Sequence, residues 1–230
     1  MTYEQLNHLK PSAFKRRCGI HRETFAQIVE VLRPHLDRTG KRGGQCKLSV
    51  EDPLLVVLEY WREYRTQLHI ATTWGLSESA VCRLIRKVET LLMHSGKFRL
   101  PGTKQLYQNA NLWSVLFGKG RMHDFRVFKT HRIPMVPTQV CLADKGYQGI
   151  AKLHPCSCIP IKKPRKGKPG KAERRHNRIL ASVRVVAEHV NRKLKIFRIL
   201  AERYRNRRKR FGLRVNLIAA IINFELALAS

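Results

Sequence analysis

At 230 residues the chain can hold one medium domain and a smaller one, and its 43% apolar content excludes a disordered polypeptide. Lys and Arg total 46 against 16 Asp and Glu, a formal net charge of +30. That excess does not suit an ordinary metabolic enzyme: it repels itself in a compact fold unless a polyanion screens it, and nucleic acid is the first candidate, ahead of a ribosomal assembly or an anionic membrane.

The first hundred residues read as helices. "HRETFAQIVEVLRPHL" places Phe25, Ile28, Val29, Leu32 and Leu36 on one helical face. "TGKRGGQCK" (39–47) is a glycine-rich basic loop. In "SVEDPLLVVLEYWREY", Ser49 and Asp52 have capping-box spacing, and Leu54, Val57, Leu58 and Trp61 form an apolar stripe expected in the core.

Residues 67–92, "QLHIATTWGLSESAVCRLIRKVETLL", carry a helix-turn-helix pattern. One helix runs to Trp74, Gly75 permits a left-handed turn, and Ser77 caps a second helix starting at Glu78. Ala71 is small enough for a close crossing, with Val81 and Leu84 facing inward. The second helix then exposes Glu78, Ser79, Cys82, Arg83 and Arg86, with Ser79, Arg83 and Arg86 the candidates for DNA contact. The bland alternative is a helical hairpin in an all-α domain.

Beyond Gly96 the texture changes. "KFRLPGTKQLYQ" is linker-like, "LWSVLF" (112–117) reads as a strand, and "RMHDFRVFK" opens a helix. "QVCLADKGYQG" (139–149) reads as a short strand ending at Asp144, and Gly146 and Gly149 then turn the chain. "KKPRKGKPGKAERRHNR" (162–178) is a basic loop that orders on a polyanion, and Lys162, Lys163, Arg165 and Lys166 are candidate DNA contacts. A long helix covers roughly 173–195, and a second basic cluster holds Arg207, Arg208 and Arg210. The apolar tail "LRVNLIAAIINFELALA" carries Arg214, Asn216, Asn223 and Glu225, which fits a buried helix better than a membrane span.

The six cysteines (Cys18, Cys46, Cys82, Cys141, Cys156, Cys158) show no disulfide framework and no zinc-ribbon spacing, and no signal peptide precedes them. Reduced cytosolic thiols are expected.

Metal-assisted phosphodiester cleavage needs two or three carboxylates around one or two divalent ions. The acids of the second half are Asp124, Asp144, Glu173, Glu188, Glu202 and Glu225. Glu188 shares a polar helix face with Arg184, Asn191 and Lys195, opposite Val183, Val186, Val190 and Leu194. On helix statistics alone, Glu188 is an i to i+4 surface partner of Arg184.

The stretches "FGKGRMHDFRVFK", "CLADKGYQGIAKLH" and "RVVAEHVNRKLKIFRILAERYRNRRKRFGLRVNLIAAIINFEL", with the helix-turn-helix before them, resemble bacterial insertion-sequence transposases of the IS-five family, a DDE branch related to the Harbinger group. The resemblance implies an α+β protein: a helical helix-turn-helix domain over 1–100 and a truncated ribonuclease H-like α/β domain over 101–230. It implies an Asp-Asp-Glu triad holding Mg²⁺ or Mn²⁺, with Asp144 before its glycine-tyrosine turn as the second acid. Glu188 is the third, supported by Arg184 and Lys195 in the signature Tyr, two residues, Arg, three residues, Glu, six residues, Lys; Ala181 stands where the family has Tyr. The implied partner is duplex DNA at the element's terminal repeats. A homo-oligomer in the cytoplasm, on the nucleoid and away from membranes, is also implied.

One departure stands out. The family's first Asp lies several dozen residues before the "GKGRMHDF" segment, yet here no acid occurs between Glu89 and Asp124. The expectation is an internal deletion with its junction at "NANLWSV", removing the first acid and most of the strands around it. Asp124 is the only substitute available, on a different element. A copy defective in catalysis but able to bind DNA is the expected result. The alternatives are an active nuclease recruiting Asp124, and a non-catalytic nucleic-acid binder such as a repressor of the parent element.

Overall fold

The computed structural model describes residues 2–37, 48–100, 124–131, 140–162, 170–205 and 210–228. By its internal contacts the chain forms two compact units: 1–100 together with 192–230, and 101–191.

The first unit is helical: α1 (Tyr3–Asn7), α2 (Pro11–Cys18), α3 (Arg22–Leu36), α4 (Asp52–Glu63), α5 (Gln67–Trp74) and α6 (Glu78–His94). Its centre is α4, where every residue from Asp52 to Trp61 is buried. A helix apolar on all sides has to be enclosed by others, and α2, α5 and α6 enclose this one. The expected capping box forms: the Ser49 amide donates to Asp52 Oδ2 at 3.0 Å and the Asp52 amide donates to Ser49 Oγ at 3.2 Å. Asp52 Oδ1 also accepts from the Tyr3 amide at 2.8 Å, which ties α1 to the start of α4. On α3, Phe25, Ile28, Val29 and Leu32 are buried as the periodicity requires, and Leu36 is half-buried.

The second unit contains α7 (Asp124–His131), β1 (Cys141–Leu142), a single 3₁₀ turn (Ile150–Lys152), β2 (Ser157–Cys158) and most of α8 (Lys171–Lys195). The strands pair in parallel, Cys141 opposite Ser157 and Leu142 opposite Cys158. Phe128, Ala143 and Ile150 form its small core, with Phe125, Cys141, Tyr147 and Ile159 packed around them. Among the described residues the protein is therefore mostly helical with one two-stranded sheet. The strand expected at 112–117 lies outside the described residues. The helix expected from about 173 begins at Lys171, so residues 171–178 are helical rather than part of the basic loop.

After α8 the chain adds α9 (Arg198–Ala201) and α10 (Phe211–Leu228) to the first unit. Leu217, Ile218, Ile221 and Ile222 of α10 are buried, and α10 packs on α6 and α3. By length and apolarity alone α10 could cross a bilayer. Its two charged residues, Arg214 and Glu225, are instead buried and matched to protein partners, as in a core helix. Glu225 Oε1 accepts from the His21 amide at 2.6 Å, and Arg214 is buried against Glu89. Cys18, Cys82, Cys141, Cys156 and Cys158 are free thiols; Cys46 lies outside the described residues.

Candidate functional site: a DNA-reading helix pair and a carboxylate pair

The helix-turn-helix is built by local chemistry. Thr66 Oγ1 accepts from the His69 amide at 3.2 Å and starts α5. Gly75 closes it at φ 61°, ψ 35°, and the Leu76 amide donates back to the Ala71 carbonyl at 2.9 Å. This is the hydrogen bond of a Schellman end, and its left-handed residue is cheapest as glycine. Ser77 Oγ accepts from the Ala80 amide at 3.2 Å and starts α6. Ala71 and Val81 are buried where the helices cross; Leu84 is half-buried and Ile85 takes the fully buried position beside it. The opposite side of α6 exposes Glu78, Ser79, Arg83, Arg86 and Lys87, while Cys82 is half-buried. An exposed helix with two arginines one turn apart is able to meet phosphates or base edges.

Two buried carboxylates brace this pair. Glu59 accepts from Trp74 Nε1 at 2.9 Å and from Arg65 Nη1 at 2.8 Å. Glu89, on the inner side of α6, has no solvent exposure. It accepts from Arg214 Nε at 2.6 Å, Arg210 Nη1 at 2.9 Å and Trp61 Nε1 at 3.3 Å. Burial works to lower the Arg214 pKa, but the hydrogen bond and charge of Glu89 more than offset it and hold the guanidinium protonated. Burial raises the pKa of Tyr204, whose hydroxyl accepts from Arg214 at 2.6 Å. Sequence reasoning treated Glu89 only as the last acid before a gap and Arg210 as a DNA contact. An acid at an inward helical position of an amphipathic helix was the available signal for the first.

In the second unit, Asp144 follows β1 at the turn. Its Oδ1 accepts from the Lys145 amide at 2.6 Å and its carbonyl accepts from the Tyr147 amide at 2.9 Å. Arg184 reaches across from α8: Nη1 lies 3.3 Å from Asp144 Oδ1, and Nη2 lies 3.7 Å from Glu188 Oε1. One guanidinium thus touches both carboxylates, which are 59% and 64% exposed. Asn177, which sequence reasoning did not single out, clamps α8 to the chain leaving β2: it accepts from the Ile161 amide at 2.8 Å and donates to the Ile161 carbonyl at 3.1 Å. Lys195 is exposed on the last turn of α8. Asp124 begins α7, but its side chain lies outside what is described. Lys162 is exposed. Lys163, Arg165, Lys166, Arg207 and Arg208 lie outside the described residues.

A divalent ion prefers hard oxygen donors, and Asp144 and Glu188 are the right kind. They are two in number, and among the described residues no three His, Cys, Asp or Glu side chains converge. That donor set falls short of a two-ion site.

A sequence model described as the helix-turn-helix of DDE superfamily endonuclease matches residues 46–98, and one described as DDE superfamily endonuclease matches residues 111–228. A probable transposase for insertion sequence element IS702 from Microchaete diplosiphon is 42% identical over 274 positions, covering 99% of each chain. A putative transposase for insertion sequence element IS112 from Streptomyces albus G is 24% identical over 229 positions, covering 84% of this chain and 87% of that one. No solved structure matches. With a helix-turn-helix formed by α5 and α6, and with these two matches and the IS702 relative spanning the whole chain, the protein belongs to the DDE superfamily of insertion-sequence transposases.

Proposed function

We propose that this chain is a transposase of the IS-five branch that binds duplex DNA at element ends but does not cut it, because the first acid of its triad is missing. The observation that carries the reading is the meeting of Asp144 and Glu188 at Arg184, combined with the absence of any acid between Glu89 and Asp124. The alignment with the IS702 relative supports it. That alignment runs over 274 positions, more than the 230 residues present here, so the relative carries residues that have no counterpart in this chain. An internal deletion with its junction at "NANLWSV" (109–115), taking strands of a ribonuclease H-like sheet with it, accounts for both facts.

DDE endonucleases use divalent metal ions. Such chemistry holds both ions in line with the scissile phosphate. Two carboxylates with water can hold one Mg²⁺ or Mn²⁺ weakly, and orientation alone supplies about 7–11 kcal/mol in well-aligned reactions, so a loosely held site loses nearly all rate. DNA binding does not depend on the triad. Ser79, Arg83 and Arg86 are exposed for it, and Lys162 adds charge. The protein then works in the cytoplasm on nucleoid DNA, as a homo-oligomer where two element ends are held together, and a bound copy obstructs the parent element's intact transposase.

A nicking assay with Mg²⁺ or Mn²⁺ on terminal-repeat DNA tests the reading; no product above background is expected. Cleavage that is lost in both Asp144→Ala and Asp124→Ala overturns it, since Asp124 would then be serving as the third ligand.

A further inference from the structure

Because α8 starts at Lys171, four cations of its first two turns fall into helical register. Lys171, Arg174, Arg175 and Arg178 follow the pattern i, i+3, i+4, i+7, which places them on one face within an arc of about 100°. All four are exposed. The face continues through Ser182 and Val185, both exposed, and no acid stands on it. Among the described residues no ion pair joins any of the four. Glu173, the nearest acid, lies off this face and accepts from the Gly170 amide at 3.0 Å.

This arrangement works against the helix twice over. Like charges at i, i+3 and i, i+4 repel, and cations near a helix N-terminus oppose the macrodipole. A solvated face chosen for helix stability alternates signs and puts acids first. The Arg184–Glu188 face stands about a third of a turn around the helix, and at 1.5 Å per residue Glu188 is about 15 Å along the axis from Arg178. The apolar residues Leu180, Val183, Val190 and Leu194 occupy the remaining side, so α8 has three distinct faces.

We propose that the Lys171–Arg174–Arg175–Arg178 stripe is a second DNA contact, gripping consecutive phosphates of one strand and leading the duplex past the face that carries Asp144 and Glu188. The stripe is about 10 Å long, room for about three phosphates at 3.4 Å of axial rise each. Guanidinium groups suit the task because each can hold a phosphate through two parallel N–H donors. The contact rests on the reading of the chain as a DNA binder and adds a location for it. It recognises backbone and not bases, so it contributes affinity without changing which sequence is preferred.

The test compares the intact protein with K171Q/R174Q/R175Q/R178Q and with a control, K10Q/R16Q/R99Q/K152Q, that removes the same charge from exposed sites elsewhere. Affinity for terminal-repeat duplex and for an unrelated duplex is measured across a salt series. Every phosphate that the variant no longer neutralises should flatten the slope of log affinity against log salt by about 0.9, with a ceiling near 3.6 for the four-residue variant. The ratio of affinities for the two duplexes should stay unchanged, the control should keep the original slope, and the stripe variant should melt no lower than the intact protein. If the intact protein binds with a steep slope and the stripe variant keeps it, or if both variants flatten it equally, the stripe is not a contact. If the intact protein shows no salt-dependent DNA binding, the functional reading falls and takes the stripe with it.

Discussion

Replacing Glu89 by Gln tests whether the reading helix is held in place by the C-terminal helix. Glu89 is fully buried on α6 and neutralises Arg214 of α10 while also accepting from Arg210 and Trp61. Arg214 is only 4% exposed, so without the carboxylate its charge has no route to water. Breaking a buried pair by removing one partner costs about 3–5 kcal/mol. Tyr204 and Tyr60 still face the guanidinium, the former as an acceptor at 2.6 Å, which argues for the lower end. With a urea slope of about 2 kcal/mol per molar, about 3 kcal/mol moves the midpoint down by about 1.5 M. In a Trp113→Phe background, Trp61 and Trp74 fluorescence follows this unit. Glu89→Leu combined with Arg214→Met should recover most of the loss, because an apolar pair of similar volume replaces two mutually dependent charges. A midpoint shift under about 0.3 M for Glu89→Gln, or a double variant no better than the single one, refutes the account. The same reasoning predicts that a fragment ending before α10 does not fold its helix-turn-helix.

Arg83→Ala should lower discrimination between target and unrelated duplex by about 1–3 kcal/mol if Arg83 reads a guanine, measured by competition binding; an equal loss on both duplexes assigns it to phosphate, and no change on either removes α6 from the interface. Gly75→Ala should cost about 1–2 kcal/mol in urea unfolding, the strain of a left-handed backbone alone, since an added Cβ meets nothing within 4 Å. Gly19→Ala should cost more, because its φ is also positive and the new Cβ would lie 3.0 Å from Phe197 and 3.1 Å from Arg62; equal costs at the two sites contradict this. Burial pushes the Cys18 thiol up to about 12 against the pull of Arg17, Arg22 and Arg62, so it should resist thiol reagents in the folded protein and label on unfolding. Its folded pKa lies above the unfolded value of about 9, so its contribution to stability is complete below about pH 9 and is lost as pH rises toward about 12. Fast labelling of Cys18 at pH 8 in the native state counts against the burial.

The parts of the fold that could be read in advance are those written in a few adjacent residues. Gly75, Ser77 and the Ser49–Asp52 pair each solve a local problem of backbone geometry or unpaired amides, and each appears where its residue type demanded. The helical bounds of α5 and α6 follow from them. Contacts across long separations could not be read this way. Nothing in the tail sequence says that Arg214 meets an acid 125 residues earlier. The basic run at 162–178 misled for another reason. Its composition is that of a solvated loop, yet Ala172 and Glu173 favour a helix start, and helical order from Lys171 turns scattered charges into a face.

The carboxylate pair shows how far local reasoning reaches. Helix spacing alone made Glu188 a surface partner of Arg184, whereas the family resemblance made it a partner of Asp144. Glu188 does lie beside Arg184, and the same guanidinium also lies beside Asp144. For the inactive copy proposed above, two causes compete: the arginine seated on both acids, and the loss of a first acid. All three groups are partly exposed, at 30%, 59% and 64%, and ion pairs so open to water are worth about 0–1 kcal/mol. A contact that weak yields readily to a divalent ion offered at millimolar concentration. A missing ligand cannot be regained by side-chain motion. Arg184→Ala should therefore leave nicking of terminal-repeat DNA at background with Mg²⁺ or Mn²⁺, while Asp144 and Glu188 become freer to the solvent. Cleavage appearing in Arg184→Ala, and vanishing again when Glu188→Gln is added, would mean that the arginine was the block and that two acids suffice.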